Sequence, residues 1–258
     1  MKVILHADDF GLDKDTCDTT IHCFQKGWLT SASILPKMSE TASAIAFAKN
    51  HTEFSFGVHL TYARDTVESS VTDPRRLPSF TNANGSLLES NELRMRAIRG
   101  HLSVDEIALE TEAQLALVRD LGLSISHVDS HGHFHKFKSF REAFKRVLPR
   151  FGIHRVRSAQ NLYFKPAYKS PTYWLGGYWH RCIGQQWTTT DYFYMLSPLE
   201  PQTWWERCEK LFLRGGTIEV GMHPGNIESW RQQELVGLQK IAEVCGRHGI
   251  KTINWNDL

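Results

Sequence analysis

Nothing in this chain marks it for nucleic acid, for an oxidising compartment or for a membrane. Lys and Arg number 30 against 28 Asp and Glu, so the basic excess of a nucleic-acid binder is missing. The five cysteines, at 17, 23, 182, 208 and 245, are an odd count and form no C-x-x-C pair. Neither a disulfide framework nor a cysteine-type zinc site is suggested. No apolar run approaches the length that spans a bilayer. The chain passes from Met1 straight into a short apolar run, without the basic region and long apolar core of a secretory leader. Repeats, low-complexity tracts and linkers are absent too. The expectation is a reduced, cytoplasmic, soluble protein of one domain, residues 1–258, long enough to bury a core without staples. What stands out is histidine, with 13 residues, several of them clustered.

Short β-rich runs alternate with helical patterns. KVILHA (2–7), TSASILP (30–36), FSFGVHLTY (54–62), SISHVDS (124–130), IHRVRS (153–158), TIEVGMHP (217–224) and KTINW (251–255) read as strands. Between them, the segment after Gly11 reads as a helix closed by Gly27. SETASAIAFAKN (39–50) reads as a helix opened by Ser39, and 103–122 as a helix with a Ser103–Glu106 capping box and Gly122 as its stop. Helices over 137–152 and 228–249 complete the set, residues 63–87 read as a long polar loop, and 159–187 as irregular and aromatic. Repeated βα units predict an α/β fold: an irregular (β/α) barrel of about seven or eight mostly parallel strands. A doubly wound open sheet is the alternative.

On that scheme five strands deliver ionisable groups to one rim. Asp8 and Asp9 end the first strand, His59 lies near the end of FSFGVHL, and Asp129 with His131, His133 and His135 follows SISHV. Arg157 ends HRVRS, and His223 ends TIEVGM. In a parallel barrel this is the face that carries active sites. Each group alone has a bland reading as a turn, a helix cap or a satisfied buried histidine. Together they read as a metal site. Residues 127, 129, 131, 133 and 135 share one parity, so a straight strand would bury all five ionisable groups at once, which is too costly. The chain therefore turns near Ser130–Gly132, and only some of the cluster reaches the site. Two imidazoles and a carboxylate make a three-ligand site with an open position for water, and a second carboxylate beside it can take that water's proton. The Asp8–Asp9 pair has this reason to exist.

ADDFGLD, GVHLTY, HVDSHGHFH and EVGMHPG, in this order, resemble the YdjC/ChbG-type carbohydrate deacetylase family, from Asp8 to Pro224 and on through the terminal helix and strand. The resemblance implies an irregular (β/α) barrel that removes N-acetyl groups from amino sugars with one divalent metal ion. Carried over motif by motif, it implies Asp9, His59 and His131 as metal ligands, Asp8 as base and His223 as acid. Arg157 is a looser match to an Arg held near the base. Zinc is the first expectation for the ion; magnesium or another divalent ion is the alternative, since two imidazoles favour a borderline metal while availability decides. Asp129 and His133 are expected to orient the ligands. The expected partner is an N-acetylated amino sugar, free or carried on a lipid or nucleotide, with oligomeric state left open.

Two rival classes are a glycosidase, which needs two carboxylates across the sugar and no metal, and a non-catalytic sugar- or metal-binding barrel. The histidine excess speaks against the first, and the base-like Asp8 beside a ligand against the second. The aromatics of 161–187, Trp174 and Trp179 among them, are expected to supply rings that cover the substrate or a carrier group.

Overall fold

The computed structural model describes residues 1–65, 70–163, 171–196, 205–212 and 215–258. The strands are β1 (Lys2–Phe10), β2 (Ser31–Ile34), β3 (Ser55–Leu60), β4 (Val128–Ser130), β5 (Tyr192–Met195), β6 (Thr217–Met222) and β7 (Lys251–Thr252). The helices are α1 (Lys14–Gln25), α2 (Thr41–Asn50), α3 (Ser90–Arg99), α4 (Val104–Asp120), α5 (Lys138–Val147), α6 (Pro171–Gly184), α7 (Trp205–Phe212) and α8 (Ser229–Arg247).

All named strand pairs are parallel, in the order β4-β3-β2-β1-β6-β5, as an alternation of strand and helix requires. The sheet curls. Parallel bridges Val128–Val156 and Arg155–Thr188 extend it beyond β4, and the Asn161 N–H donates to the Phe193 carbonyl at 3.4 Å, bringing that edge back to β5. The fold is thus the expected irregular parallel barrel. β7 pairs with β1 at Lys2 and Val3 only, before β2 takes over that flank at His6.

Alternation along β1 sorts its side chains. Val3, Leu5 and Ala7 join the large apolar core, while Ile4 packs with Ile253 and Trp255 in a separate cluster. His127 stacks on Trp255 with centroids 4.6 Å apart and meets His6 edge-on at 5.1 Å. A serine ladder runs on from there. Ser55 Oγ donates to Ser31 Oγ at 2.9 Å, and Ser31 and Ser33 lie 3.0 and 3.1 Å from the two ring nitrogens of His6. The serines of S-A-S-I are therefore the polar lining beneath the site, alternating with Ala32 and Ile34, which belong to the apolar core.

Several local expectations need correction. α2 begins at Thr41 with Glu40 at the N-cap, because the Ser39 hydroxyl donates to the Leu12 carbonyl instead. Ser103 caps α4, but the Glu106 carboxylate accepts from the Ser79 N–H rather than closing a capping box. Only residues 128–130 of the expected 124–130 strand pair, residues 153–158 contribute single bridges, and the last strand stops at Thr252. β5, α3 and α7 were not expected, and α6 occupies much of the stretch read as irregular. Phe164 and Tyr168 of that stretch lie outside the described residues. Trp179 packs edge-on against Phe137 at 5.7 Å and Trp187 against Phe144 at 6.4 Å, whereas Trp174 is 63 % exposed.

Candidate active site

In a regular strand Asp8 and Asp9 would point to opposite faces. The register of β1 against β2 shifts between Ala7 and Phe10, and Asp9 adopts φ 59°, a left-handed conformation that costs a non-glycine residue energy. The irregularity serves both carboxylates: each is buried, and Asp8 lies 3.9 Å from His223 while Asp9 lies 3.5 Å from His59. Gly11, at φ 89°, continues the turn where a Cβ would press on Glu40, Thr41 and Ala44 at 3.2 Å.

Asp9 Oδ1 sits 3.5 Å from His59 Nε2 and 3.6 Å from His131 Nδ1, and one donor atom from each residue lies within 4.8 Å of the others. Oδ1 is buried with no hydrogen-bond partner among the described residues, while Arg231 Nη2 donates to Oδ2 at 2.8 Å. An orphaned carboxylate oxygen facing two imidazole nitrogens fits a divalent cation. His59 Nδ1 is held by Asp129 Oδ1 at 2.9 Å with Ser33 Oγ at 3.1 Å, which fixes its proton there and turns the Nε2 lone pair to the same seat. Burial alone would lower the His59 pKa, but Asp129, Asp8 and Asp9 raise it, so this pocket attracts positive charge. The strand ends at Ser130, and the turn through Gly132 (φ 64°) and His133 (φ 56°) splits the histidine cluster as the parity argument requires. His131 stays partly exposed at the Asp9 site, His133 turns toward Phe193 at 5.7 Å, and His135 is held by Ser130 Oγ at 2.8 Å.

Beneath lies Arg157, fully buried. It forks onto Asp8 at 2.8 and 2.7 Å, reaches Glu219 Oε1 from Nε and Nη2 at 3.1 and 2.9 Å, and also meets Asp129. Burial opposes ionisation of Asp8, but Arg157 and the nearby histidines win and hold its pKa below the usual carboxylate range. Asp129 is likewise held low, against burial, by Arg157 and His59. Glu219 goes the other way, pushed up to about 7 by burial that Arg157 only partly offsets. Its Oε2 is buried and has no partner among the described residues. His6 lies 3.5 Å from Asp8 and 3.4 Å from Glu219, with a pKa held well below normal by burial and Arg157.

His223 follows β6 directly. Glu234 Oε2, from α8, accepts both its backbone N–H at 2.6 Å and its Nδ1 at 3.0 Å, leaving Nε2 3.9 Å from Asp8 Oδ2. Burial would lower the pKa of His223; Glu234, Asp9 and Asp8 outweigh it and raise it to about 9. The structure thus brings together Asp8, Asp9, His59, Asp129, His131, Arg157 and His223, and takes His133 aside. Sequence reasoning missed His6, Glu219, Arg231 and Glu234. The signal was present in charged residues on apolar elements: Glu219 inside T-I-E-V-G-M, and Arg231 and Glu234 at helical spacing with the buried Leu238 and Ile241 of α8.

The model of the YdjC-like protein family matches residues 2–244. Among curated relatives, a carbohydrate deacetylase of Geobacillus stearothermophilus is 32 % identical over 161 residues, 61 % of this chain and 60 % of the relative. One of Halalkalibacterium halodurans is 26 % identical over 90 % of this chain and 89 % of its own, and one of Clostridium beijerinckii is 22 % identical over the whole of both. A crystal structure of a candidate cellobiose-phosphate cleavage protein from Enterococcus faecalis V583 aligns with a TM-score of 0.76 at 20 % identity, over 99 % of this chain and 98 % of that one. At that identity the likeness is one of fold. With its family match running through nearly every strand and helix that builds the rim, the chain belongs to the YdjC-like proteins.

Proposed function

We propose that this chain is a metal-dependent carbohydrate deacetylase that hydrolyses the N-acetyl group of an amino sugar. The names of its relatives support the substrate class. The observation that carries the chemistry is the unpartnered Asp9 Oδ1 between His59 and His131, flanked by a carboxylate and a cationic imidazole in contact with each other. Asp9, His59 and His131 would hold the ion, with zinc favoured by two imidazoles and magnesium the alternative. A divalent ion there supplies Lewis acidity, polarising the acetyl carbonyl and acidifying a water.

The protein's own groups do the rest. Asp8 accepts the proton of the attacking water, and Arg157 keeps Asp8 ionised and fixed by its fork. His223, protonated through Glu234, aims Nε2 at the reacting centre and gives its proton to the departing amine, which leaves poorly without one. Asp129 orients His59, and Arg231 occupies the second oxygen of Asp9 so that one oxygen faces the ion.

The test is release of acetate and free amine from N-acetylated sugars presented free, as oligomers, and on nucleotide and lipid carriers, alongside metal analysis. Wild-type protein should release acetate and amine in equal amounts from at least one, and Asp9→Ala and His59→Ala should lose metal and activity together. Release of a reducing sugar in place of acetate would move the protein to the glycosidase class. Full metal occupancy in both variants would overturn the ligand set.

A further inference from the structure

The acid group of the proposed reaction stands beside an exposed indole. Trp230, the second residue of α8, is 42 % exposed and meets the His223 ring edge-on, with centroids 5.3 Å apart and planes at 66°. The guanidinium of Arg231 lies 4.4 Å from the Trp230 ring centroid, and the same guanidinium donates to Asp9. From this geometry we infer that Trp230 is the stacking platform for the pyranose ring that bears the acetylated nitrogen.

This rests on the deacetylase reading and on one constraint. If His223 Nε2 protonates the departing nitrogen, that nitrogen lies within hydrogen-bond reach of Nε2, and the sugar carbon carrying it lies one bond further. The sugar ring then lies within a few ångströms of His223, the imidazole against which Trp230 packs. A pyranose has one face lined by C–H groups, and an indole offers a large flat apolar surface at low entropic cost.

A lone exposed aromatic ordinarily needs no explanation. This one differs in its mounting. The turn ahead of α8 is tied down by Asp15 Oδ2, which accepts from the N–H groups of Asn226 at 2.9 Å and Ile227 at 3.1 Å, and by Asn226 Nδ2 on Thr19 Oγ1 at 2.6 Å. Arg231 Nε is bonded to Glu228 at 2.7 Å, so the cation against the indole is itself fixed. An apolar ring exposed to water yet mounted on a cation that is itself paired with the buried Asp9 is built to receive something. Arg231 also joins platform and proposed metal seat through one side chain, so a ring seated on Trp230 is positioned relative to Asp9.

The test compares Trp230→Ala and Trp230→Phe with the parent, each as the metal-loaded enzyme, on N-acetylglucosamine and its oligomers and on 4-nitrophenyl acetate, which has no sugar ring. For Trp230→Ala the fall in kcat/KM on the sugars should exceed the fall on the ester by about tenfold, a size in keeping with loss of one stacking contact, and Trp230→Phe should recover most of it. Equal falls on both substrates, or no fall on the sugars, would overturn the assignment. Binding of glucosamine oligomers, followed by saturation-transfer NMR, separates the two readings. If the parent releases no acetate from any sugar, the deacetylase reading fails. The platform then stands if Trp230→Ala abolishes the saturation transfer seen with the parent, and falls if the signals match or the parent shows none.

Discussion

At the scale of single residues, the proposed division of roles between two adjacent carboxylates rests on their different partners. Asp8 takes the fork of the buried Arg157 on both oxygens, whereas Asp9 gives one oxygen to Arg231 and turns the other toward two imidazoles. Asp8→Asn should therefore keep the metal and lose about 10²–10⁴ in turnover, the usual worth of a general base. A rate within about twofold of the parent, at full metal occupancy, would remove Asp8 from that role. His223 owes its raised pKa, about 9 against burial, chiefly to Glu234. In the proposed role of acid it would act only while protonated, so activity should fall as pH rises through its pKa. Glu234→Gln removes the charge that raises it. The alkaline limb of kcat/KM in that variant should move to lower pH than in the parent. An unmoved limb would show that another group sets it.

At the scale of elements, the alternation of strands and helices and the strand-end acids and histidines were legible in the sequence, because parallel barrels write long apolar strands and polar strand ends. The turn at Ser130–Gly132 was legible too, from the shared parity of residues 127–135, although it sends only His131 to the Asp9 seat and leaves His127, Asp129 and His135 buried. What was not legible were contacts made across the barrel. Arg157 could be placed on the rim, yet its three carboxylate partners come from β1, β4 and β6, and nothing local to HRVRS names them. Arg231 and Glu234 sit six and nine residues beyond the GMHPG motif, and their role shows only when α8 packs beside β6 and brings them to Asp9 and His223. α6 was hidden by its glycines and aromatics, poor helix formers that packing overrides. Close approach between elements is testable at Gly57 of β3, where an added Cβ would lie 2.6 Å from the His127 ring and 2.7 Å from its carbonyl oxygen. That backbone oxygen cannot swing away. Gly57→Ala should cost about 1–3 kcal/mol by overpacking, seen as a lowered Tm. A Tm equal to the parent's would mean that the two strands yield more freely than the packing implies.

At the scale of the whole molecule, the barrel keeps its polar interior at the expense of acid tolerance. His127 and His135 are held neutral by burial, each with its pKa pushed down to about 3, and His6 and His133 are also held well below normal. Below about pH 6.5 the unfolded chain takes up protons that the folded one refuses, so stability falls as pH falls through that point. Glu219, raised to about 7, works in the opposite sense between its unfolded value near 4.5 and 7, and so do His59 and His223, whose raised values favour the folded chain as pH falls toward 6.5; below that point the last two are protonated in both states, and four imidazoles stand against Glu219. The Tm of metal-free protein should drop steadily between pH 6.5 and 5, and a flat Tm would mean that these imidazoles are hydrated or paired in solution. The central claim is that Asp9, His59 and His131 hold one divalent ion that makes this barrel a deacetylase. The most direct measurement strips the protein of metal and titrates zinc back while recording acetate released from an N-acetylated amino sugar on which the parent is active. The stripped protein should release no acetate, and activity should rise linearly to a plateau at one equivalent of ion; undiminished acetate release from metal-free protein would show that the reaction needs no ion at this seat.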